Sequence, residues 1–372
     1  MIKKLAIIGA SYLQLPLVLK AKELGLVTYC FAWDDGAVCK PFVDHFYPVS
    51  TVDKEKILEI CKQEKIDGIT SIASDVAVTT INYVSNSLGL IGNDPIDSLA
   101  STNKFIMREK FRQKQVSSPK FYKIGKGDLI LSDESFTFPL IVKPVDRSGS
   151  KGVQKINSLN ELKISIERAQ NESFINEGIV EEYIEGNEVS VESISWEGKH
   201  FILAITDKET TGAPYFVELS HHQPSSLNTN IQQDIIFETH KALNALNLKY
   251  GASHSEFKIT QEGKVYAIEV GARMGGDFIG SDLVYLSTGY DFLKGVIEVA
   301  LGIFNIPVLN KTLFSGVYFL SEERSFIKSI IENKTLPQII RSEITDKTVR
   351  PVQCSSDRSG YFIYQSNEKI SI

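Results

Sequence analysis

The sequence predicts a chain of several lobes, of α/β and α+β class: an N-terminal doubly wound parallel (Rossmann-like) domain, then two mixed lobes and a short tail. Three observations carry this. The first hundred residues alternate short apolar runs with helical periodicity. Further along, strand-like runs are broken by tight turns, at Gly186-Asn187 and at Gln261-Glu262-Gly263. The length, 372 residues, exceeds what one ordinary hydrophobic core holds.

Leu5 to Ile8 reads as a buried strand that ends in a turn at Gly9-Ala10-Ser11. Leu15 to Leu24 is helical, with Pro16 near its start and Gly25 just past its end, where each residue favours a helix terminus. Thr28 to Trp33 is the next strand, Ile57 to Glu64 a helix, Gly68 to Ala73 a buried strand and Val76 to Leu88 a helix. Strands alternating with helices give a parallel sheet over residues 1–100. A dinucleotide fingerprint needs three glycines after the first strand. Gly9, Ser11 and Gln14 stand there, so only one position matches and NAD binding is disfavoured.

Ser101 to Gln113 is expected as one helix carrying Lys104. Phe138 to Pro144 and Val153 to Lys155 read as strands around a loop, followed by a helix from Leu159 to Gln170. Ile179 to Ser195 holds two strands. Ile231 to Leu246 is an amphipathic helix, Ser253 to Ile259 and Lys264 to Val270 form a hairpin, and Asp291 to Leu301 is a helix. The expected lobes are 101–195 and 196–305. Residues 306–372 read as a small strand-rich subdomain with no evident chemistry.

Composition narrows the function classes. Hydrophobic residues make up 42% and charged residues 23%, so a disordered chain is excluded. The formal charge of −6 argues against a nucleic-acid partner. Cys30, Cys39, Cys61 and Cys354 form no CxxC pair and read as free thiols. The apolar run before Gly9 is too short for a signal peptide. No run approaches the ~18 residues of a membrane span. The expectation is a cytoplasmic protein without a membrane partner.

Three clusters carry chemistry. In the first, Lys143 ends an apolar run and is followed by Asp146-Arg147-Ser148-Gly149-Ser150-Lys151-Gly152. Small residues let backbone amides approach an anion, and Lys143 can aim charge at the same phosphates. A hairpin with surface lysines is the plainer alternative. The second, Glu181 to Glu192, is acidic yet alternates with apolar residues, which puts Glu188, Ser190 and Glu192 on one strand face. A solvated face is the alternative. The third is the most specific: Glu256 and Glu269 lie thirteen residues apart on two strands joined by a tight turn. They are then cross-strand neighbours, and two like charges there call for a cation such as Mg²⁺ between them. Arg273 follows beside Gly275 and Gly276 and suits a carboxylate or phosphate.

These clusters, in this order and spacing, resemble the ATP-grasp superfamily, and within it the carboxylate–amine (amino-acid) ligase branch. The resemblance covers nearly the whole chain. It implies ATP-grasp architecture, with a nucleotide-clasping lobe and a C-terminal metal-site lobe, and ATP and Mg²⁺ as cofactors. Lys104 and Lys143 would contact phosphates, and the loop of Ser148, Gly149, Ser150 and Gly152 would close over them. The Glu181 carbonyl and Ile184 amide would meet the adenine edge, Glu188 the ribose, Glu256 and Glu269 the metal, and Arg273 the acyl phosphate or substrate carboxylate. Gly271 departs from the asparagine many members carry two residues after the second glutamate, which bears on a second Mg²⁺.

The implied reaction is amide formation through an acyl phosphate, with small-molecule carboxylate and amine substrates and release of ADP and phosphate. It needs no covalent nucleophile, which suits a chain without an evident triad. His221 and His222, expected in a loop, offer a proton acceptor, and His222 is taken as the candidate catalytic histidine. Asp277 and Phe278 are expected to line the substrate pocket. The alternatives are a carboxylase that activates bicarbonate at the same ATP site and a non-enzymatic nucleotide-binding protein. A homodimer is the usual expectation for this resemblance.

Overall fold

Aliphatic and β-branched residues fill the strands that open the chain, and burying them sets the first layer. A computed structural model describes residues 2–125 and 137–372. In it β1 (Lys4–Ile8), β2 (Val27–Ala32), β3 (His45–Pro48) and β4 (Gly68–Thr70) form a parallel sheet in the order β3-β2-β1-β4. α1 (Leu15–Glu23) connects β1 to β2, α2 (Lys54–Glu64) connects β3 to β4, and α3 (Asp75–Leu88) follows β4. Helices cover both faces of such a sheet, so its central strand is apolar throughout rather than alternating. Leu5, Ala6, Ile7 and Ile8 are all fully buried.

α4 (Pro95–Thr102) and α5 (Lys104–Gln113) follow, and they correct the expectation of one helix over 101–113. Asn103 has an extended backbone, ends α4 and caps α5, its side chain accepting the Ile106 amide at 3.1 Å. A short amide side chain competes for backbone hydrogen bonds and so favours a cap over a helix interior. The break puts Lys104 in the first turn of α5, where its amide donates to the Val145 carbonyl at 2.7 Å.

The second sheet is antiparallel: β5 (Phe121–Ile124), β6 (Leu140–Pro144), β7 (Gln154–Ile156) and β8 (Gly178–Glu182), in the order β5-β8-β6-β7. On it packs α6 (Leu159–Glu172), through Leu162, Ile166 and Ala169. The third sheet has eight strands in the order β13-β12-β9-β10-β11-β14-β16-β15. These are β9 (Asn187–Trp196), β10 (Lys199–Thr210), β11 (Glu218–Gln223), β12 (Gly251–Ile259), β13 (Val265–Gly271), β14 (Phe314–Leu320), β15 (Ile339–Ile344) and β16 (Gly360–Ser366). The remaining helices are α7 (Thr229–Ala245), α8 (Val284–Thr288), α9 (Phe292–Ala300) and α10 (Phe326–Asn333).

One expectation changes here. His221 and His222 lie in β11, not in a loop. After residue 306, β14 pairs with β11 and continues the third sheet. The first and third sheets are joined through α9, whose Phe292, Val296 and Ile297 share a core with Leu5, Ile7 and Leu17. Among the described residues no helix is long and apolar enough to cross a membrane. The cysteines are free, and burial pushes the thiols of Cys30, Cys39 and Cys61 up to about 12.

One glycine links the second and third sheets. Gly186, between β8 and β9, has φ of 151°, and a Cβ there would lie 1.9 Å from the Ile259 carbonyl oxygen. That contact is with backbone, which cannot rotate away. Gly186→Ala is expected to destabilise the protein by about 3 kcal/mol. Urea unfolding of the variant measures this, and a loss of under ~1 kcal/mol would show that the junction yields.

Candidate nucleotide and metal site

The β12–β13 hairpin places Glu256 directly opposite Glu269, with a register shift just after Glu256. Paired like charges are unfavourable, and here cations relieve them. Lys104 Nζ donates to Glu269 Oε1 at 2.9 Å, and Lys208 Nζ to Glu256 Oε1 at 2.7 Å. His254 Nε2 lies 3.3 Å from the same Glu256 oxygen. Burial disfavours the Glu256 charge, but Lys208 and His254 outweigh it and hold the carboxyl well below its usual value.

Lys208, on β10, has a side chain 3% exposed and three carboxylates around it: Glu188 at 2.9 Å, Glu256 at 2.7 Å and Glu218 at 3.6 Å. Burial would strip its proton, yet these neighbours hold it charged and raise it well above the usual lysine value. On the facing wall, Lys143 of β6 reaches Glu181 of β8 at 2.6 Å, and Arg108 Nε of α5 lies 2.8 Å from the other Glu181 oxygen. Burial opposes ionisation of Glu181, but Arg108 and Lys143 prevail and lower its pKa. Burial, with Arg108 and Lys104 nearby, lowers that of Lys143.

The loop after β6 completes the wall. Gly149 has φ of 64° and Ser150 of 56°, and the Arg147 carbonyl accepts Lys104 Nζ at 2.6 Å. Every residue read from sequence as a nucleotide or metal contact lines this one cavity, Gly152 excepted. Gly152 packs behind it, where a Cβ would come within 2.9 Å of Pro144. Ile141, Val153, Ile184 and Ile268 give the cavity apolar faces, and Glu188 ties its carboxylate to Lys208 and Lys258. Backbone at Glu181 sits within the β8 ladder, opposite Ile141 and Phe121.

Arg273 lies to one side, in a crevice with Ser71 and Ser74. It is held bidentately by Asp75 at the start of α3, Nε to Oδ1 at 2.8 Å and Nη2 to Oδ2 at 2.9 Å. That pair explains Gly271. A Cβ at 271 would lie 2.8 Å from Asp75 Oδ1 and 3.2 Å from Arg273 Cζ, so an asparagine cannot stand there with the pair intact. Asp277 (φ 50°) and Phe278 (φ 67°) border a narrow crevice with Tyr12 and Ala73, and Asp277 is held bidentately by Arg358 at 2.8 and 2.9 Å.

His222 requires a correction. Its side chain is fully buried between Tyr364 Oη and Ser220 Oγ, each 3.0 Å away, and it does not line the cavity. Burial lowers it to about 4. Strand alternation points His221 the other way. His221 pairs across the ladder with Lys208, is 1% exposed, and its Nδ1 has no hydrogen-bond partner. Burial first, then Lys208, lowers its pKa well below the usual value.

Sequence reasoning missed Arg108, Lys208, Asp75, His254 and Arg358, and it placed Glu192 on the face of Glu188 without its His254 partner. Arg108 was findable, since it stands four residues after Lys104 on the same helix face. The others come from separate elements that only the fold assembles.

With the geometry in view, the comparisons with known proteins align with it. The sequence profile of the ATP-grasp domain matches residues 136–282. Over 256 residues the chain is 28% identical to alanine–anticapsin ligase of Bacillus subtilis, covering 63% of this chain and 53% of that protein. Over 270 residues it is 28% identical to the carbamoyl phosphate synthase large chain of Caldanaerobacter subterraneus subsp. tengcongensis, covering 69% and 24%. The matches thus span about half of the first relative's length and a quarter of the second's. A crystal structure of L-amino acid ligase from Bacillus licheniformis superposes with a TM-score of 0.81 at 22% identity, over 98% of this chain and 94% of that one, which shows a shared fold. Residues 136–282 thus match the ATP-grasp domain, and the chain as a whole is similar to proteins named as ligases.

The Arg108–Glu181–Lys143 cluster yields a stability prediction. Arg108→Met leaves Glu181 with one cation and is expected to destabilise by about 3 kcal/mol at pH 7. A depressed carboxyl contributes stability above the unfolded value of about 4.3, and that contribution fades as pH falls through the folded value. The deficit of the variant therefore shrinks at acid pH. Urea unfolding at pH 7 and again under acid conditions checks this. An equal deficit at both would contradict it.

Proposed function

We propose that this chain is an ADP-forming ligase that uses Mg²⁺ and ATP to activate a carboxylate as an acyl phosphate and joins it to an amine. The observation that carries the reading is the opposed pair Glu256 and Glu269, facing Lys104 and Lys143 across one cavity. The lobes proposed from sequence then divide the labour, 101–195 holding the nucleotide and 196–305 the metal.

The residues present fit both groups. Mg²⁺ takes hard oxygen donors, commonly one or two carboxylates together with substrate phosphates. The side-chain partners of Glu256 and Glu269 are cationic residues, so a bound metal would take over a neutralising role that side chains now fill. Apolar faces at Ile141, Val153, Ile184 and Ile268 suit a purine, with the Glu181 carbonyl and Ile184 amide as proposed edge contacts and Glu188 as the ribose contact.

Phosphoryl transfer asks the protein mainly for alignment and charge stabilisation. Lys104 and Lys143 would neutralise phosphate oxygens, and the amides of residues 148–150 would face them as an anion nest. Glu256 and Glu269 would hold Mg²⁺, which would supply positive charge against the phosphates. Arg273 would orient the acyl carboxylate. The amine nitrogen then attacks the acyl carbon, the C–N bond forms, the C–O bond breaks and phosphate leaves. His221 replaces His222 as the histidine proposed near this step, because it shares the Lys208 face. It is buried behind the cavity lining, and burial and Lys208 keep its ring neutral, which suits a positioning role and not that of a base. Relatives named as amino-acid ligases support amino acids as the substrates.

The direct assay is ADP and phosphate release from Mg-ATP across single and paired amino acids, with and without bicarbonate. Turnover is expected to require an amino acid and to fall roughly a thousandfold in Glu269→Ala. Turnover with bicarbonate alone would instead assign carboxylase chemistry. The two histidines separate by the same assay. His221→Gln is expected to lose turnover. His222→Gln is expected to lose about 1–3 kcal/mol of stability while turnover stays near wild type. The reverse pattern would restore His222.

A further inference from the structure

Behind the metal-site hairpin lies a buried charge that the reaction above does not use. β9 and β12 set Glu192 directly opposite His254, and Glu192 is fully buried, away from the cavity wall. Its two oxygens go to two places. Oε1 pairs with His254 Nδ1, and Oε2 accepts the Gly275 amide at 2.9 Å. The other His254 nitrogen reaches Glu256 Oε1 at 3.3 Å. Gly275 belongs to the loop that Arg273 opens. The space is full: a Cβ at 275 would come within 2.6 Å of Glu192 Oε1 and 2.7 Å of His254 Nδ1.

A buried carboxylate is costly, and an apolar pair of similar volume is often as stable or more so. Stability alone therefore does not account for Glu192. Its bonds do two other things at once. Through His254 they fix the direction of the Glu256 carboxylate, and through the Gly275 amide they fix the loop of Arg273. Without His254, Glu256 has Lys208 as its one close side-chain partner among the described residues, and Lys208 is shared with Glu188 and Glu218.

We propose that Glu192 is a positioning residue for the metal, acting through His254 on Glu256 and holding the Arg273 loop in register with it. The proposal rests on the reading of Glu256 and Glu269 as metal ligands. The probe is Mn²⁺, titrated by electron paramagnetic resonance in the presence of ADP, with ADP binding in EDTA measured by calorimetry. Glu192→Gln keeps the shape and removes the charge. It is expected to weaken Mn²⁺ binding about tenfold while metal-free ADP binding stays unchanged. His254→Leu should do the same, and it decides the matter if Glu192→Gln does not fold. Variants that lose only melting temperature, with Mn²⁺ affinity unchanged, would overturn the proposal and leave Glu192 a core ion pair. Wild type that binds no Mn²⁺ with ADP would remove the metal-site reading itself, and this inference with it.

Discussion

Lys104 touches all the parts that make the site. Its amide donates to Val145 beside the second sheet, its ammonium to the Arg147 carbonyl of the glycine loop, and the same ammonium to Glu269 of the third sheet. With its side chain 6% exposed, it cannot be satisfied by water, so the three elements must stay within reach of it. That requirement explains why the chain breaks its helix at Asn103. A helix continuing through 103 would not bring the Lys104 amide and side chain onto the loop.

The rest of the site follows the same rule, that each buried charge has an opposite partner. Lys208 answers Glu256, Glu188 and Glu218; Lys143 and Arg108 answer Glu181; Arg273 answers Asp75. Such clusters are a poor way to gain stability, because desolvation offsets much of the attraction. They are a good way to keep a highly charged ligand's partners aligned beforehand. A nucleotide triphosphate and a divalent cation could exchange into this set, phosphate taking the lysines and metal taking the carboxylates, with little reorganisation.

Much of this was legible in the sequence, for physical reasons. The alternation and the tight turn put Glu256 and Glu269 on two paired strands, so the hairpin follows from local pattern. Setting the two directly opposite takes the register shift after Glu256, which the pattern does not show. The apolar runs of a parallel sheet are equally plain. What escaped was assembled by long-range pairing. Lys208 is one lysine on a strand whose neighbours β9 and β11 decide its role, and Arg358 meets Asp277 across 81 residues of chain. The two histidines show the limit most clearly. Adjacent residues of a strand face opposite ways, and only the register of β10 with β11 tells which one shares the face of Lys208. Asn103 shows another, since a cap inside a helical pattern looks like an ordinary polar position until the chain turns there.

In the proposed reaction a carboxylate takes the terminal phosphoryl group of ATP at this cavity. Oxygen-18 in the carboxylate of the amino-acid substrate tests it most directly, with the released phosphate read by mass spectrometry. Transfer through an acyl phosphate leaves one labelled oxygen in each phosphate formed in step with ADP. Phosphate that carries no label while product accumulates would contradict the account, because the phosphoryl group would then have gone to another acceptor.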